Sequence, residues 1–347
     1  MNPEQVEKIA VLGAGVMGHG IAQVAALAGF NVIIRDIAQE FLDKAQQSIE
    51  RSLKRQVERG RMTEDAAKAA LGKISMTLDL SEAVGDADLV VEAIPERLDL
   101  KRKVWKEVSG KAREDAVLAT NTSSLSITAI AEAVSHPERF VGMHFFNPPT
   151  VMRLVEIIPG ARTSPETVEL AMALAERMGK TPVAVKRDAP GFIVNRVLIT
   201  YLNEAAKLLD AGYTKEQVDS AMQHRAGMPL GPFMLADLIG LDIVYNILKV
   251  FEENLGPGYA SAKPIEKLFK EGKLGRKTGE GFYSYKERPR VPEDVGRGFD
   301  IDLLLNPLME EAEKVVEEGI ADREAVDTAL KLGANLPRGP FEMRESR

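Results

Sequence analysis

Over its first half the chain alternates between short apolar runs and longer stretches in which apolar residues recur at helical spacing. The short runs cover Lys8–Leu12, Asn31–Arg35, Ile74–Leu78, Asp88–Ala93, Ala116–Ala119, Arg139–Phe145 and Thr181–Val185, lengths that suit buried strands. Helical spacing marks Ile21, Val24, Ala25 and Ala28, a long charged stretch over 38–72, and then Lys101–Ser109, Ile127–Val134 and Pro165–Met178. Alternation of this kind predicts an α/β fold, a doubly wound and mainly parallel sheet with helices on both faces. In such sheets ligands sit beyond the carboxyl ends of the strands. Asp188-Ala189-Pro190-Gly191 breaks the pattern, and from Phe192 onward only the helical period remains. Phe192, Val194, Val197, Leu198, Tyr201, Leu202, Ala205 and Leu208 make an apolar face broad enough for a buried helix.

The tail repeats part of that helical region. Glu311-Ala312, Gly319, Val326-Asp327, Ala329, Pro337 and Gly339-Pro340-Phe341 echo Glu204-Ala205, Gly212, Val218-Asp219, Ala221, Pro229 and Gly231-Pro232-Phe233. The second copy has no counterpart of Asn195 or of the glycine-rich stretch around Lys277, so it reads as a truncated, non-catalytic cover for the helical domain, the alternative being that the chain is a fragment of something longer. Three segments follow: an α/β domain over 1–187, a helical domain over 188–295, and a partial second copy over 296–347.

Composition narrows the function. Of 347 residues, 45% are hydrophobic, enough for a substantial core. The net charge is −7 and no basic cluster stands out, which argues against nucleic acid or a membrane surface as partner. The first strand starts by about Lys8, leaving no room for a signal peptide, and no apolar run reaches bilayer-spanning length. The cytoplasm is the compartment this implies. Cysteine is absent and the four histidines are scattered, so neither a thiol nucleophile nor a metal site is expected.

The first strand runs straight into Gly13-Ala14-Gly15-Val16-Met17-Gly18, and a helix follows. A glycine pattern of this kind is weak alone; between a strand and a helix, with Asp36 closing the next strand, it becomes a dinucleotide fingerprint. Gly13 permits the tight turn, Gly15 lets a pyrophosphate approach the backbone, and Gly18 lets helix and strand pack closely. Asp36 would accept hydrogen bonds from the adenosine ribose and repel a 2′-phosphate, which favours NAD over NADP. Glu92, Glu96, Lys101, Asn121, Ser123 and His144 all follow predicted strand ends and would line one crevice with that cofactor. Taken alone, Asn121-Thr122-Ser123-Ser124 reads better as a helix cap.

Residues 140–158 hold the candidate chemistry. Phe140–Phe146 is an apolar run that Asn147-Pro148-Pro149 must end in a turn, and a second run, Val151–Ile158, follows at once. Glu156 is the one carboxylate inside that second run, and a charge buried there needs a partner. His144, across the turn, is the candidate: a carboxylate beside an imidazole fixes its tautomer and favours the imidazolium a general base must become. On this stretch alone, an ordinary core histidine with an edge glutamate remains open.

With these residues in hand, the chain resembles the L-3-hydroxyacyl-CoA dehydrogenases over nearly its first 290 residues. The likeness lies in the glycine motif through Gly20-Ile21-Ala22, Val91-Glu92-Ala93-Ile94, Asn121-Thr122-Ser123-Ser124-Leu125 and His144-Phe145-Phe146-Asn147-Pro148. It continues through Leu154-Val155-Glu156, Pro190-Gly191-Phe192-Ile193-Val194-Asn195-Arg196 and Gly279-Glu280-Gly281-Phe282-Tyr283. The resemblance implies a Rossmann-like domain followed by an all-α, 6-phosphogluconate-dehydrogenase-like domain. It also implies NAD-dependent oxidation of a (3S)-3-hydroxyacyl-CoA to the 3-ketoacyl-CoA, as in fatty acid β-oxidation. His144 would then be the base, Glu156 its orienting partner, and Ser123 and Asn195 contacts to the reacting oxygen. Glu96, Lys101, Ser123, Asn147 and Lys277, with the Val16-Met17 turn, would touch the dinucleotide. Ser52 matches a CoA contact, and Arg59 stands where some relatives use a lysine for the same tail. The doubled tail resembles larger members in which an enoyl-CoA hydratase is fused, although no hydratase sequence is present. Two rivals stay in view: an NAD-dependent dehydrogenase of a small hydroxy acid such as gulonate, and an NAD-binding protein without catalysis. The helical domain suggests a homodimer, or a monomer if the tail copy covers the same surface.

Overall fold

The structure, a computed structural model, describes residues 2–345, and the chain divides into two compact units, the first ending at Asp188 and the second beginning at Ala189. The first unit runs β1 (Lys8–Leu12), α1 (Val16–Leu27), β2 (Asn31–Arg35), α2 (Gln39–Glu58), α3 (Glu64–Leu71), β3 (Ile74–Thr77), α4 (Leu80–Val84) and β4 (Leu89–Glu92). It continues with α5 (Leu98–Ser109), β5 (Val117–Thr120), α6 (Ile127–Ala131), β6 (Phe140–Phe145), β7 (Leu154–Pro159), α7 (Pro165–Arg177) and β8 (Thr181–Ala184). The strands form one eight-stranded sheet in the order β3-β2-β1-β4-β5-β6-β7-β8. Every neighbouring pair is parallel except β6 and β7, which the turn at Pro148-Pro149 makes antiparallel. The central strands β4, β5 and β6 are buried along their whole length, as parallel strands covered on both faces must be. The order reverses between β1 and β4, so the crevice beyond their carboxyl ends is the expected ligand site.

Two local expectations are corrected. The charged stretch over 38–72 is two helices, because α2 ends at Glu58 with Arg59 as its C-cap, Gly60 takes φ +65°, and Thr63 restarts the chain by capping α3 through Ala66 N. The second apolar run becomes a strand only from Leu154, since Val151 N and Met152 N both donate to Pro148 O in a turn. Pro182 lies in β8, the sheet edge, where a missing donor is tolerated.

The second unit is helical: α8 (Val194–Asp210), α9 (Lys215–His224), α10 (Pro232–Ile239), α11 (Leu241–Leu255), α12 (Lys263–Lys270), α13 (Asp302–Glu317), α14 (Arg323–Gly333) and α15 (Pro340–Glu345). The repeat is visible in its hydrogen bonds. Asp219 of α9 accepts from Phe233 N and Met234 N at the start of α10; Asp327 of α14 accepts from Phe341 N and Glu342 N at the start of α15. Each carboxyl group supplies the acceptors that the open N–H groups of the next helix need, in place of a residue of that helix. The preceding glycine makes room for it: a Cβ on Gly231 would lie 2.3 Å from the Asp219 carboxyl carbon, and one on Gly339 would lie 2.2 Å from that of Asp327. Arg196 of α8, buried, pairs with the equally buried Glu311 of α13 and with Glu318, and so ties the second copy to the first. Among the described residues, no helix is long and apolar enough to cross a membrane.

Candidate active site

The glycine turn after β1 has the three geometries a dinucleotide requires. Gly13 adopts φ +100°, and a Cβ there would come within 2.6 Å of Ala93 O. A Cβ on Gly18 would come within 1.7 Å of Gly13 O, so only glycine allows α1 to pack this close. Gly15 differs: a Cβ there would meet no protein atom within 4 Å, so its small size leaves space above the turn. The start of α1 has no side-chain cap, and its first N–H groups face that space beside exposed Val16 and half-buried Met17. Asp36, just past β2, accepts from Ala14 N at 2.6 Å and from Ile37 N at 2.6 Å, which fixes its carboxylate against the turn. An open cradle, an uncapped helix end and an acid after β2 together fit a dinucleotide without a 2′-phosphate.

Further along the same sheet end, His144 and Glu156 are directly opposed residues of β6 and β7. Opposed residues of an antiparallel pair project from the same face, and here His144 Nδ1 lies 2.7 Å from Glu156 Oε2. Glu156 is fully buried and His144 nearly so. A carboxylate can only accept, so Nδ1 carries the proton and Nε2 is the basic nitrogen of the ring. Three contacts hold the turn that follows. Asn121 Oδ1 accepts from Phe145 N at 2.8 Å, joining the end of β5 to the residue beside the imidazole. Gly20 of α1 packs against the Pro149 ring, where a Cβ would come within 2.9 Å. Lys180 donates to Pro149 O and, at 2.9 Å, to Met152 O, and burial together with Arg153 lowers its pKa to about 8. Helix α1 is therefore in direct contact with the turn that follows the strand of His144. Asn147 is exposed, at the head of the turn.

Ser123 follows β5, the parallel neighbour of β6, and so lies at the same sheet end as His144. Its segment is no helix cap: α6 is capped by Ser126, while Thr122, Ser123 and Ser124 wrap the Glu96 carboxylate. Burial opposes the charge on Glu96, but Lys101 and these hydrogen bonds outweigh it and hold the carboxyl below the usual range. Glu92 and Lys101 are corrected in another sense. Both are almost completely buried and paired with one another, so they lie beneath the crevice rather than along its wall. Beyond Glu92, the Lys101 ammonium reaches Glu96 Oε2 and Ile94 O, both at 3.4 Å.

The remaining candidates stand elsewhere. Ser52 and Arg59 are seven residues apart on one face at the far end of α2, half-buried and exposed respectively, and are not gathered with the residues at the strand ends. Asn195 and Lys277 belong to the second unit. Asn195 is the second residue of α8, entered through Phe192 at φ +52°, and Lys277 pairs with Asp242. Sequence patterns gave no sign of the contacts made by Asn121, Lys180 or Arg196, because each partner is distant in the chain.

Residues 8–189 match the family described as 3-hydroxyacyl-CoA dehydrogenase, NAD binding domain, and residues 191–285 and 298–346 match its C-terminal domain. A probable 3-hydroxybutyryl-CoA dehydrogenase of Deinococcus radiodurans is 45% identical over 280 residues, covering 80% of this chain and 100% of the relative. The fatty acid oxidation complex subunit alpha of Psychrobacter arcticus is 41% identical over 347 residues, and the match spans 97% of this chain but only 48% of that protein. Among solved structures, 3-hydroxybutyryl-CoA dehydrogenase of Escherichia coli K12 superposes with a TM-score of 0.93 at 30% identity, covering 99% of this chain and 92% of that one.

Proposed function

That the chain belongs to the 3-hydroxyacyl-CoA dehydrogenase family, enzymes that oxidise a 3-hydroxyacyl-CoA with NAD, is the premise from which we propose how its residues divide the work. His144 Nε2 takes the proton of the substrate's C3 hydroxyl as general base. Bound NAD supplies the hydride acceptor. Glu156 holds the imidazole in the required tautomer and stabilises the imidazolium once it forms. Ser123 and Asn195 hold the substrate oxygen and stabilise the charge that develops on it. Gly13, Gly15, Val16, Met17 and Gly18 cradle the pyrophosphate, Asp36 takes the adenosine ribose, and Glu96, Asn147 and Lys277 complete the cofactor contacts. Ser52 and Arg59 meet the CoA tail, where the Arg59 guanidinium would grip phosphate by a planar fork rather than as a point charge.

The observation that carries this reading is the 2.7 Å contact between His144 and Glu156, two polar side chains buried together at the ligand-binding end of the sheet. In the cell the reaction would serve fatty acid β-oxidation or related acyl-CoA metabolism, in the cytoplasm. Because α13 occupies a face of α8 within the chain, a monomer is favoured over a homodimer built on that face. An absorbance assay with acetoacetyl-CoA and NADH, run beside free gulonate and NAD, tests the substrate class. Oxidation of NADH by the thioester alone is expected; turnover of gulonate alone would move the enzyme to the small hydroxy acids.

A further inference from the structure

Beneath the loops that end β4 and β5 lie two charges, Glu92 and Lys101, that the mechanism above leaves unused. Glu92, the last residue of β4, has no solvent exposure. Its carboxylate accepts from Ile94 N at 2.9 Å, Lys101 Nζ at 2.5 Å, Trp105 Nε1 at 3.3 Å and Thr120 Oγ1 at 2.8 Å. A carboxylate so far from water keeps its charge only where donors and a counter-charge surround it, and here every requirement is met. Lys101 is as deeply buried, and its ammonium is shared: beyond Glu92 it reaches Glu96 Oε2 at 3.4 Å. The other oxygen of Glu96 lies within hydrogen-bond distance of Thr122 Oγ1 (2.6 Å), Ser123 N (2.8 Å), Ser124 N (3.0 Å), Ser124 Oγ (3.1 Å) and Ser123 Oγ (3.3 Å).

We propose that Glu92 is a positioning residue for the reaction. It fixes the Lys101 ammonium, Lys101 sets where Glu96 stands, and Glu96 gathers the 122–124 loop, with the Ser123 hydroxyl, into place. The inference rests on the reading of Ser123 and Glu96 as substrate and cofactor contacts. A pair that served stability alone would need no third member, since a buried ion pair is commonly replaced by apolar residues without loss. Here the third member is a half-exposed carboxylate whose far side organises the loop of the reacting oxygen. Glu92 thus acts at a distance, through two intermediates, on atoms it never touches.

The test compares wild type with Glu92→Gln, Glu96→Gln, the double variant Glu92→Gln/Lys101→Met and the triple variant that adds Glu96→Gln. The readouts are turnover of acetoacetyl-CoA with NADH, NADH affinity by fluorescence, and melting temperature. Glu92→Gln strands a buried ammonium and is expected to melt early. The double variant removes both charges and is expected to melt near wild type, yet to lose turnover and NADH affinity by at least about tenfold each. Glu96→Gln is expected to match that loss, and the triple variant to lose nothing more, because the residues act as one unit. A double variant with wild-type turnover and NADH affinity overturns the inference, as does a triple variant whose losses multiply. Should wild type itself fail to turn over the thioester, the functional reading falls and the NADH affinities of the same four variants decide this one.

Discussion

Gly18 lies so close to Gly13 that a Cβ on the former would come within 1.7 Å of the latter's carbonyl oxygen. Three residues earlier, Gly15 carries the opposite constraint: its backbone, at φ −62°, suits any residue, and nothing in the protein opposes a side chain there. The two glycines therefore answer different demands: the packing requires Gly18, and on the proposed reading the pyrophosphate requires Gly15.

Substituting them separates the two demands. Gly18→Ala is expected to cost ~1–3 kcal/mol of stability by overpacking, and to weaken NADH binding as the turn is displaced. Gly15→Ala is expected to melt like wild type yet bind NADH about tenfold more weakly, equivalent to ~1.4 kcal/mol. Thermal melts and NADH fluorescence titrations on both variants check this; a Gly15→Ala protein with unchanged affinity would mean that no pyrophosphate passes over that residue.

Asp219 gives stability a distinctive pH dependence. Burial pushes its carboxyl up to about 7, against the pull of Phe233 N and Met234 N. The folded state then holds a proton that the unfolded state, near its ordinary pKa of about 4, has already released. Stability from this group is full below pH ~4 and declines as pH rises to about 7, with no further loss above. Asp219→Asn is expected to remove that slope, so the wild-type minus variant difference in melting temperature should fall between pH 5 and pH 7.5. A difference that stays flat across this range contradicts the raised carboxyl.

On the proposed mechanism Glu156 acts on the imidazole and not on the substrate. Glu156→Gln keeps the shape of the side chain but loses the charge that stabilises the imidazolium, and turnover is expected to fall at least ~10-fold with little change in NADH affinity. Steady-state rates with acetoacetyl-CoA measure this directly; wild-type turnover in the variant would show that the pairing has no catalytic consequence.

Much of this site was legible along the chain because its signals are local. The strand–glycine–helix order, the acid after β2 and the Pro-Pro turn between two apolar runs each depend on neighbours in sequence. One charge inside an apolar run was enough to seek a partner for Glu156 across that turn, and the antiparallel register puts His144 opposite it. What stayed hidden depends on residues far apart. Thr122, Ser123 and Ser124 have the composition of a helix cap, and only Glu96, in the preceding loop, turns them to another use. Lys101 reads as a crevice residue until the buried carboxylate of Glu92 is found beside it, and nothing along the chain joins Arg196 to Glu311. The break at Gly60 escaped notice because apolar spacing continues through α3. The tail repeat was readable as a set of echoes, but not the shared device beneath it, an aspartate from one helix capping the next.

The central claim is that His144 takes the proton, and His144→Gln tests it most directly. Single-turnover rates of acetoacetyl-CoA reduction should be followed in stopped flow beside an NADH titration of the same protein. In this direction the imidazolium returns the proton to the substrate oxygen, and loss of that acid is expected to slow the chemical step ~10²–10⁴-fold while NADH affinity stays at the wild-type value. A variant that reduces the thioester at the wild-type rate would remove His144 from the mechanism.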